Sequence, residues 1–378
     1  MSKNLIYADH AATTALSPVA LSAMQPWLQD QFGNPSTLYS LARAPRKAVH
    51  AARENIAAEI GAQPSEIFFT SGGSESDNLA IKGIAFRHLR QKTHFVTSAI
   101  EHHAILHAFE ALKRYGFLTD ILPVNREGII SEKALQDTLT EETALVSIML
   151  ANNEIGTIEP VRIMADTAHA RGALFHTDAV QAMGHIAIDV QKLGVDMLSA
   201  SAHKFNGPKG VGFLYVRNGI ELEPLIHGGG QENGMRAGTE NVAGIVGMAA
   251  ALQEHTEHLE EEQRHLIMLQ KALIDALHAS DLDFIINGSK YRIPGNVSLS
   301  FANVDGEMLL HRLDLMGISV ATGSACNSKE TEISHVIRAI GIPEQYARGT
   351  IRVSFGPENT IEDAGRIAQC IGSIFLSR

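Results

Sequence analysis

The stretch that decides the fold is DMLSASAHKFNGPKGVGF, residues 196–213. Its apolar start predicts a strand that ends near Ser201, and the Gly/Pro turn after Lys204 predicts an antiparallel return strand. Lysine favours solvent, so a lysine among small residues at a strand end needs a physical reason. One reason is a Schiff base with a carbonyl cofactor, for which the amine must be desolvated and oriented. An ordinary loop lysine beside an acidic partner is the alternative at this point.

Short apolar runs alternate with helical patterns on the N-terminal side of this stretch. Runs that are apolar throughout and separated by helices are typical of a mostly parallel sheet covered on both faces. We therefore predict a doubly wound α/β domain. Its strands are predicted at residues 67–70, 94–97, 144–150, 173–177, 196–199 and 212–216, and its clearest helices at 75–90 and 102–115.

A change in the sequence pattern near residue 250 indicates a second structural unit. The long charged stretch 254–279 predicts a helix without strands, and shorter elements follow it. A chain of 378 residues suits a large domain with a smaller α/β unit beside it. The later elements are predicted strands at 296–301, 318–321 and 351–354, and helices at 308–315 and 362–375.

Composition and charge narrow the range of functions. A formal net charge of -11 argues against direct nucleic-acid binding, because phosphate attraction needs clustered Lys and Arg. We expect no membrane span and no secretory signal, because no apolar window is long enough. The two cysteines, Cys326 and Cys370, indicate no disulfide framework and favour the cytoplasm. The 18 histidines lack metal-ligand spacing, so we expect no structural metal.

Polar residues follow several predicted strands directly. Asp178 ends an apolar strand, where open α/β sheets place ligands, and an aspartate there suits a protonated pyridine nitrogen. It could instead cap a following helix. Gln181 would lie about one helical turn further on, facing the same side. After the glycine turn at 72–73, free N–H groups and the Ser74 hydroxyl suit a phosphate ester, although glycine turns before helices are common.

Two further polar residues follow other strands of the predicted sheet. His102 could lie over an aromatic cofactor and transfer protons, or could simply cap its helix. Asn153 could donate to a cofactor ring oxygen or to a substrate carboxylate. Because all these residues lie at strand carboxyl ends of one sheet, we expect them to converge on one crevice. Their agreement favours a catalytic Lys204 over an ordinary loop lysine.

The sequence resembles the class V aminotransferase group of fold-type I pyridoxal phosphate enzymes, and within it the cysteine desulfurases. The matching motifs occur in order along nearly the whole chain, so the resemblance is highly specific. They are residues 9–14 (DHAATT), 32–35 (FGNP), 70–78 (TSGGSESDN), 101–102 (EH), 152–156 (NNEIG), 178–181 (DAVQ), 201–204 (SAHK), 227–231 (HGGGQ), 235–239 (MRAGT), 323–326 (GSAC) and 351–354 (IRVS).

The resemblance implies a fold and a cofactor. The large domain, residues 16–255, would be built on a mostly parallel seven-stranded sheet, and residues 1–15 and 256–378 would form the small domain. Pyridoxal 5'-phosphate would be bound to Lys204, and the protein would be a homodimer.

The resemblance also implies a role for each matching residue. Asp178 would pair with the pyridine nitrogen, His102 would stack on the ring and Gln181 would contact the ring hydroxyl. Arg352 and Asn153 would bind the substrate carboxylate, which matches the planar guanidinium of an arginine. Asn153 would also contact the cofactor. The phosphate would be held by Gly73, Ser74, Ser201 and His203, and by Thr239 from the neighbouring subunit.

Small and polar residues surround Cys326, which predicts an exposed, mobile loop. A free cysteine is usually a small buried hydrophobe, and Cys370, on the apolar face of the last helix, fits that description. An exposed thiol followed by Lys329 is a candidate nucleophile, and a persulfide is a recognised product of such a thiol. The one metal role we expect for it is transient iron–sulfur ligation.

The predicted function is therefore a cysteine desulfurase that converts L-cysteine to L-alanine and holds the sulfur as a persulfide on Cys326. Lys204 would remove the Cα proton, and His102 would assist proton transfers near the sulfur. The sulfur acceptor would serve iron–sulfur assembly, tRNA thiolation or DNA phosphorothioation, with DNA reached only through partner proteins. The alternatives are a selenocysteine lyase, another C–S lyase or aminotransferase on the same cofactor, or a non-catalytic sulfur carrier.

Overall fold

The computed structural model describes residues 5–87, 92–322 and 333–376. Its strands, numbered along the chain, are β1 Ile6–Tyr7, β2 Ile67–Thr70, β3 His94–Ser98, β4 Leu118–Leu122, β5 Thr143–Ser147, β6 Leu174–Asp178, β7 Met197–Ser201, β8 Gly212–Val216, β9 Phe284–Ile286, β10 Asn296–Phe301, β11 Ile318–Ser319 and β12 Thr350–Ser354. Its α-helices are α1 Pro18–Leu28, α2 Arg43–Glu59, α3 Gly73–Arg87, α4 His103–Arg114, α5 Glu132–Thr138, α6 Val161–His169, α7 Val190–Leu193, α8 Val242–His278, α9 Gly306–Leu315, α10 His335–Ala339, α11 Glu344–Ala347 and α12 Ile361–Leu376.

Seven strands form one sheet in the order β2-β8-β7-β6-β5-β3-β4. The pairs from β7 to β4 are all parallel, whereas β8 is antiparallel to both of its neighbours, β7 and β2. Only β8 therefore runs against the others, so the carboxyl ends of the remaining six strands share one edge. The predicted fold class, a mostly parallel seven-stranded sheet in an α/β protein, is confirmed, and so is the antiparallel return after Lys204.

The sheet has a fully buried centre and one exposed edge. Every residue of β3, β5, β7 and β8 is buried, which explains why these strands are continuous apolar or small-residue runs. The edge strand β4 exposes three of its five residues. The sequence pattern did not predict β4, because a strand with solvent on one side lacks a continuous apolar run.

A smaller unit carries its own antiparallel sheet, in the order β12-β10-β9. The N-terminal strand β1 pairs in parallel with β11, and Asp9 forms an isolated bridge with Ser354 at the end of β12. The start of the chain is therefore attached to the part of the protein formed by its end.

The long helix α8 spans two hydrophobic cores. Its first half, including Ile245 and Leu252, packs into the core of the large sheet, and its second half, including Leu269 and Leu273, packs into the core of the small sheet. The helix begins well before the predicted residue 254. The predicted boundary between residues 255 and 256 falls inside it, and the domain limits stay a prediction.

Two other expectations concern helices. Residues 179–186, after Asp178, form successive turns rather than the expected α-helix, and Gly184 with its φ of 79° lies within them. Gln181 therefore reaches the site from a turn.

In the described part of the chain, no helix is long and apolar enough to cross a membrane.

Candidate active site

Lys204 lies directly beyond the buried strand β7, at the end of a single 3₁₀ turn, Ala202–Lys204. Its Nζ donates hydrogen bonds of 2.7 Å each to the backbone carbonyls of Ala11 and Ala12. The chain turns sharply after the lysine, where a Cβ on Gly207 would lie 2.8 Å from the Ala202 side chain. The local sequence thus holds the amine at the sheet edge, partly removed from solvent.

Asp178 ends the neighbouring strand β6 and is buried, with 5% of its surface exposed. Its Oδ1 accepts a hydrogen bond of 2.9 Å from the backbone N–H of Val180. Burial raises the pKa of Asp178 to about 6, although that N–H and the charge of Lys204 act in the opposite direction. A carboxylate in such a dry position suits a cationic partner such as a protonated pyridine nitrogen.

A layer of hydrogen-bonded side chains crosses the sheet at His176, two residues before Asp178 on the same strand. The fully buried His176 connects the Ser147 hydroxyl, 2.9 Å from its Nδ1, to the Ser199 hydroxyl, 2.9 Å from its Nε2. Burial lowers the pKa of His176 to about 3, so the ring is neutral. The pKa of the adjacent Asp77 is raised by burial and by the charge of Asp178. This layer joins β5, β6 and β7 beneath the site.

The glycine turn after β2 makes a close approach to the end of β7. Gly72 has a φ of 147°, and a Cβ there would lie 3.4 Å from the hydroxyl of Ser201. A Cβ on Gly73 would lie 2.6 Å from a methyl group of Val180, so glycine is required. Helix α3 starts at Gly73 with the exposed Ser74 in its first turn. Free N–H groups, a hydroxyl and a wall without side chains fit a phosphate group.

His102 is the N-cap of α4, which is the alternative role that the sequence allowed for it. Its Nδ1 accepts a hydrogen bond of 3.1 Å from the backbone N–H of Ala104, so the proton of the neutral ring lies on Nε2. Burial and, to a smaller extent, the positive charge of Lys204 lower the pKa of His102 to about 4. Capping therefore fixes the tautomer of the ring and does not exclude a role in catalysis.

The N-terminal segment, residues 9–14, contacts several of the predicted site residues. Gln181 donates a hydrogen bond of 2.9 Å to the same Ala11 carbonyl that Lys204 contacts, and Nδ1 of His203 lies 3.2 Å from the Thr13 hydroxyl. Sequence reasoning assigned no site residue to this segment. Its only signal was the DHAATT motif, which was used for the resemblance alone.

Arg352 on β12 occupies the opposite side of the same segment. Its Nη2 lies 2.6 Å from Oδ1 of Asp9, and its Nη1 donates a hydrogen bond of 2.8 Å to the carbonyl of Asn153. The structure thus brings Arg352 and Asn153 together, but through the backbone of Asn153 rather than its side chain. Nε of Arg352 is buried without a hydrogen-bond partner among the described residues.

Two buried acids that were not predicted lie beside these residues. Glu101 precedes His102 and accepts hydrogen bonds from the Ser98 hydroxyl and the Met149 N–H, and burial raises its pKa. Oε2 of Glu154 accepts a hydrogen bond of 2.6 Å from the Ser334 hydroxyl. Burial raises the pKa of Glu154 to about 7, against the attraction of Arg352. Their signal in the sequence is an acid soon after an apolar run: Glu101 directly follows Ile100, whereas Glu154 comes after two asparagines.

One predicted residue is not brought into this cluster, and the position of another is not described. Thr239 is exposed, close in sequence to Arg236, whose Nε lies 2.9 Å from a carboxylate oxygen of Glu75 in the first turn of α3. Cys326 lies outside the described residues. Within the three described ranges, no group of three or more His, Cys, Asp or Glu side chains is arranged to hold a metal ion.

The fold and this strand-end cluster define a class of protein. The family model described as aminotransferase class-V matches residues 6–367. The chain therefore belongs to the class-V aminotransferase family, as the sequence motifs predicted. It is a pyridoxal phosphate-dependent enzyme, and the lysine, the buried aspartate and the glycine-walled helix start fit that cofactor.

Relatives within the family narrow the class further. The chain is 47% identical to "Cysteine desulfurase IscS" of Clostridium botulinum, over 99% of this chain and 95% of the relative. It is 49% identical to the protein of the same name from Dictyoglomus turgidum, over 96% of this chain and 92% of the relative. Among solved structures it is similar to a "NifS-like protein", at 37% identity and a TM-score of 0.94, with 99% and 100% of the two chains covered. It is also similar to "SspA in complex with cysteine", at 38% identity and a TM-score of 0.84, with 94% and 100% covered.

Proposed function

We propose that this chain is a cysteine desulfurase, which converts L-cysteine to L-alanine and transfers the sulfur to an acceptor protein. The observation that carries the proposal is that Lys204 and Arg352 both contact residues 9–14, while the buried Asp178 lies close enough to Lys204 for the lysine charge to oppose the rise that burial causes in its pKa. An amine, a buried carboxylate and a carboxylate-binding guanidinium are what an amino-acid substrate and pyridoxal phosphate require together. The names of the curated relatives support the same reaction and favour it over a selenocysteine lyase.

The described residues that would hold the cofactor lie at the strand ends. Lys204 would bind the aldehyde carbon, Asp178 would pair with the ring nitrogen, His102 would stack on the ring, and Gln181 would contact the ring hydroxyl. Bound pyridoxal phosphate accepts the electrons that a substrate Cα releases. The phosphate is held by Gly73, Ser74, Ser201 and His203.

The remaining roles belong to the protein itself. The Lys204 amine takes the proton from the substrate Cα, and the carbonyls of Ala11 and Ala12 orient that amine. Arg352 and Asn153 bind the substrate carboxylate. His102 carries its proton on Nε2, where it can be donated near the substrate sulfur.

The thiolate of Cys326 attacks the substrate sulfur, and the bond between that sulfur and the substrate Cβ breaks, with the electron pair staying on the carbon part, which is protonated to L-alanine. The sulfur, now a persulfide on Cys326, is then passed to an acceptor protein. A catalytic thiol of this kind needs reducing surroundings, so the cytoplasm is the proposed compartment. Iron–sulfur assembly is the favoured use of the sulfur, since the relatives carry the name IscS.

A homodimer in which Thr239 reaches the partner's phosphate site forms part of the proposal. Three large apolar side chains are exposed near this segment: Phe32 at 72%, Leu38 at 93% and Tyr39 at 53%. Between them, the hydroxyl of Ser36 lies 3.2 Å from a carboxylate oxygen of Glu240, the residue after Thr239. Exposed apolar side chains in a segment that contacts Glu240 are what a subunit interface would cover.

The two cysteines provide a matched test. We expect the Cys326→Ser variant to lose persulfide formation and sulfur transfer from L-cysteine, measured by mass spectrometry and by alanine release. Cys370→Ser should keep both, since Cys370 packs against the core of the small sheet. Transfer at the parental rate by Cys326→Ser would overturn the proposed role of that thiol. A clear preference for L-selenocysteine would favour the selenocysteine lyase instead.

A further inference from the structure

We propose that Asp9 is a positioning residue that holds the Arg352 guanidinium in the orientation that receives the substrate carboxylate. The inference rests on the proposed function, because it takes Arg352 as the carboxylate-binding residue. It adds a residue from the opposite end of the chain to the substrate site.

The contact between the two side chains is close and sheltered. Nη2 of Arg352 lies 2.6 Å from Oδ1 of Asp9, and the two side chains are 8% and 19% exposed. The only other hydrogen bond found for the guanidinium among the described residues goes from Nη1 to the carbonyl of Asn153, at 2.8 Å. Among the described residues, Asp9 therefore supplies the one carboxylate hydrogen-bonded to this nearly buried cation.

The backbone of Asp9 is fixed on the strand that carries Arg352. Asp9 forms a parallel bridge with Ser354, the His10 N–H donates to the Ser354 carbonyl at 3.1 Å, and the Ser354 N–H donates to the Ala8 carbonyl at 2.8 Å. The Ser354 hydroxyl also accepts from the Ala11 N–H at 3.0 Å. These contacts hold the Asp9 carboxylate at a constant position beside the guanidinium.

A second acid interacts with Arg352 but does not replace Asp9. Glu154 feels the charge of Arg352, yet its carboxylate accepts a hydrogen bond from Ser334, and burial raises its pKa to about 7. An arginine has five N–H donors in a rigid plane. With Asp9 and the Asn153 carbonyl each binding one terminal nitrogen, the remaining N–H groups point in fixed directions, ready for an incoming carboxylate.

The experiment compares two ligands of the same shape on the cofactor-loaded enzyme. L-Alanine carries a carboxylate and L-alaninamide a neutral amide, and binding is followed by the change in cofactor absorbance. We expect Asp9→Asn to weaken L-alanine binding roughly tenfold or more, the effect of losing a hydrogen bond between charged groups. L-Alaninamide binding should change less than about twofold, since it brings no charge to Arg352.

Three further variants make the outcomes distinguishable. Arg352→Lys is the reference, and it should lose L-alanine selectively as well. Asp9→Glu keeps the negative charge and should recover part of the lost L-alanine affinity. Asp137→Asn removes a carboxylate from the exposed pair with Lys133, so it should bind both ligands like the parent. The KM for L-cysteine should rise in Asp9→Asn with little change in kcat.

Each negative result would contradict either the role of Asp9 or the proposed function. If Arg352→Lys loses L-alanine selectively and Asp9→Asn does not, the positioning role of Asp9 is wrong and the proposed function stands. If Asp9→Asn weakens both ligands equally, Asp9 is merely structural and the inference is also wrong. If Arg352→Lys itself keeps its preference for L-alanine, the carboxylate-binding role in the proposed function fails.

Discussion

The two halves of the active site are assembled in different ways. In the cofactor half, Asp178 and Lys204 come from neighbouring strand ends of one sheet, and a buried layer supports them. In the carboxylate half, Arg352 meets Asp9 across 343 residues of sequence, and each of its two hydrogen bonds joins a different segment. The first geometry follows from the sheet, whereas the second depends on a few individual contacts. Changes in the two halves should therefore have different kinetic consequences.

The largest effect is expected in the cofactor half. Lys204→Ala removes both the covalent attachment and the amine that takes the Cα proton, so we expect kcat to fall by about 10³-fold or more. Borohydride reduction should no longer fix pyridoxal phosphate to the chain, as measured by mass spectrometry. The exposed Lys209 provides the control, because Lys209→Ala should keep both properties. Retained attachment in Lys204→Ala would place the covalent site on another lysine.

A smaller effect of a different kind is expected in the carboxylate half. Arg352→Lys replaces a planar fork by a point charge, so the KM for L-cysteine should rise roughly 10- to 100-fold. The kcat should change much less, if the carboxylate is held equally in the ground state and the transition state. Arg348→Lys, in a surface pair with Glu344, is the matched control and should behave like the parent. A fall in kcat with unchanged KM would contradict the division into two halves.

The smallest expected effect is a pH dependence of L-alanine affinity, which arises in the carboxylate half alone. Since the pKa of Glu154 is about 7, its carboxyl is mostly neutral below pH 7 and becomes an anion near Arg352 above it. The anion competes for the guanidinium, so L-alanine affinity should fall as pH rises from 6 to 8. Relative to Glu154→Gln, the parent should bind equally at pH 6 and about fivefold more weakly at pH 8, which corresponds to about 1 kcal/mol.

Glu159 provides the control for this pH effect. Burial raises the pKa of Glu159 to about 8, and its carboxylate accepts from the Ile130 N–H rather than lying beside Arg352. Glu159→Gln should therefore keep the parental change in affinity between pH 6 and 8, measured by the same absorbance titration. An equal loss of pH dependence in both variants would mean that Glu154 has no specific influence on Arg352.

Sequence patterns predicted that Asp178 and Lys204 lie at the sheet edge, because the signals for strand ends are local, and their roles toward the cofactor stay predictions. A buried parallel strand is a largely apolar run, and polar residues at its end mark the sheet edge, as Asp178 does at the end of β6 and Lys204 just beyond β7. The glycine turn before α3 could be recognised from its two consecutive glycines. The structure explains Gly73, because a Cβ there would lie 2.6 Å from a methyl group of Val180. Predicting that five strand ends share one edge required no knowledge of long-range contacts.

The carboxylate half could not be predicted in the same way. The pairing of Asp9 with Arg352 has no local signal, because nothing within either segment specifies a partner at the other end of the chain. The turns after Asp178 were also not predicted, since residues 179–183 have ordinary helical composition and tertiary contacts decide their conformation. The edge strand β4 was not predicted either, because its exposed face removes the apolar run that marks buried strands.

The pairing of β1 with β11, and of Asp9 with β12, has a consequence for biosynthesis. Asp9 leaves the ribosome 343 residues before Arg352, a delay on the order of half a minute at about 5–20 residues per second. During that time the first strand has no partner, and its backbone donors and acceptors are open to chaperones. A nascent chain that has not yet produced β12 lacks the Arg352 partner of Asp9, so the proposed carboxylate site forms only after residue 354 has been made.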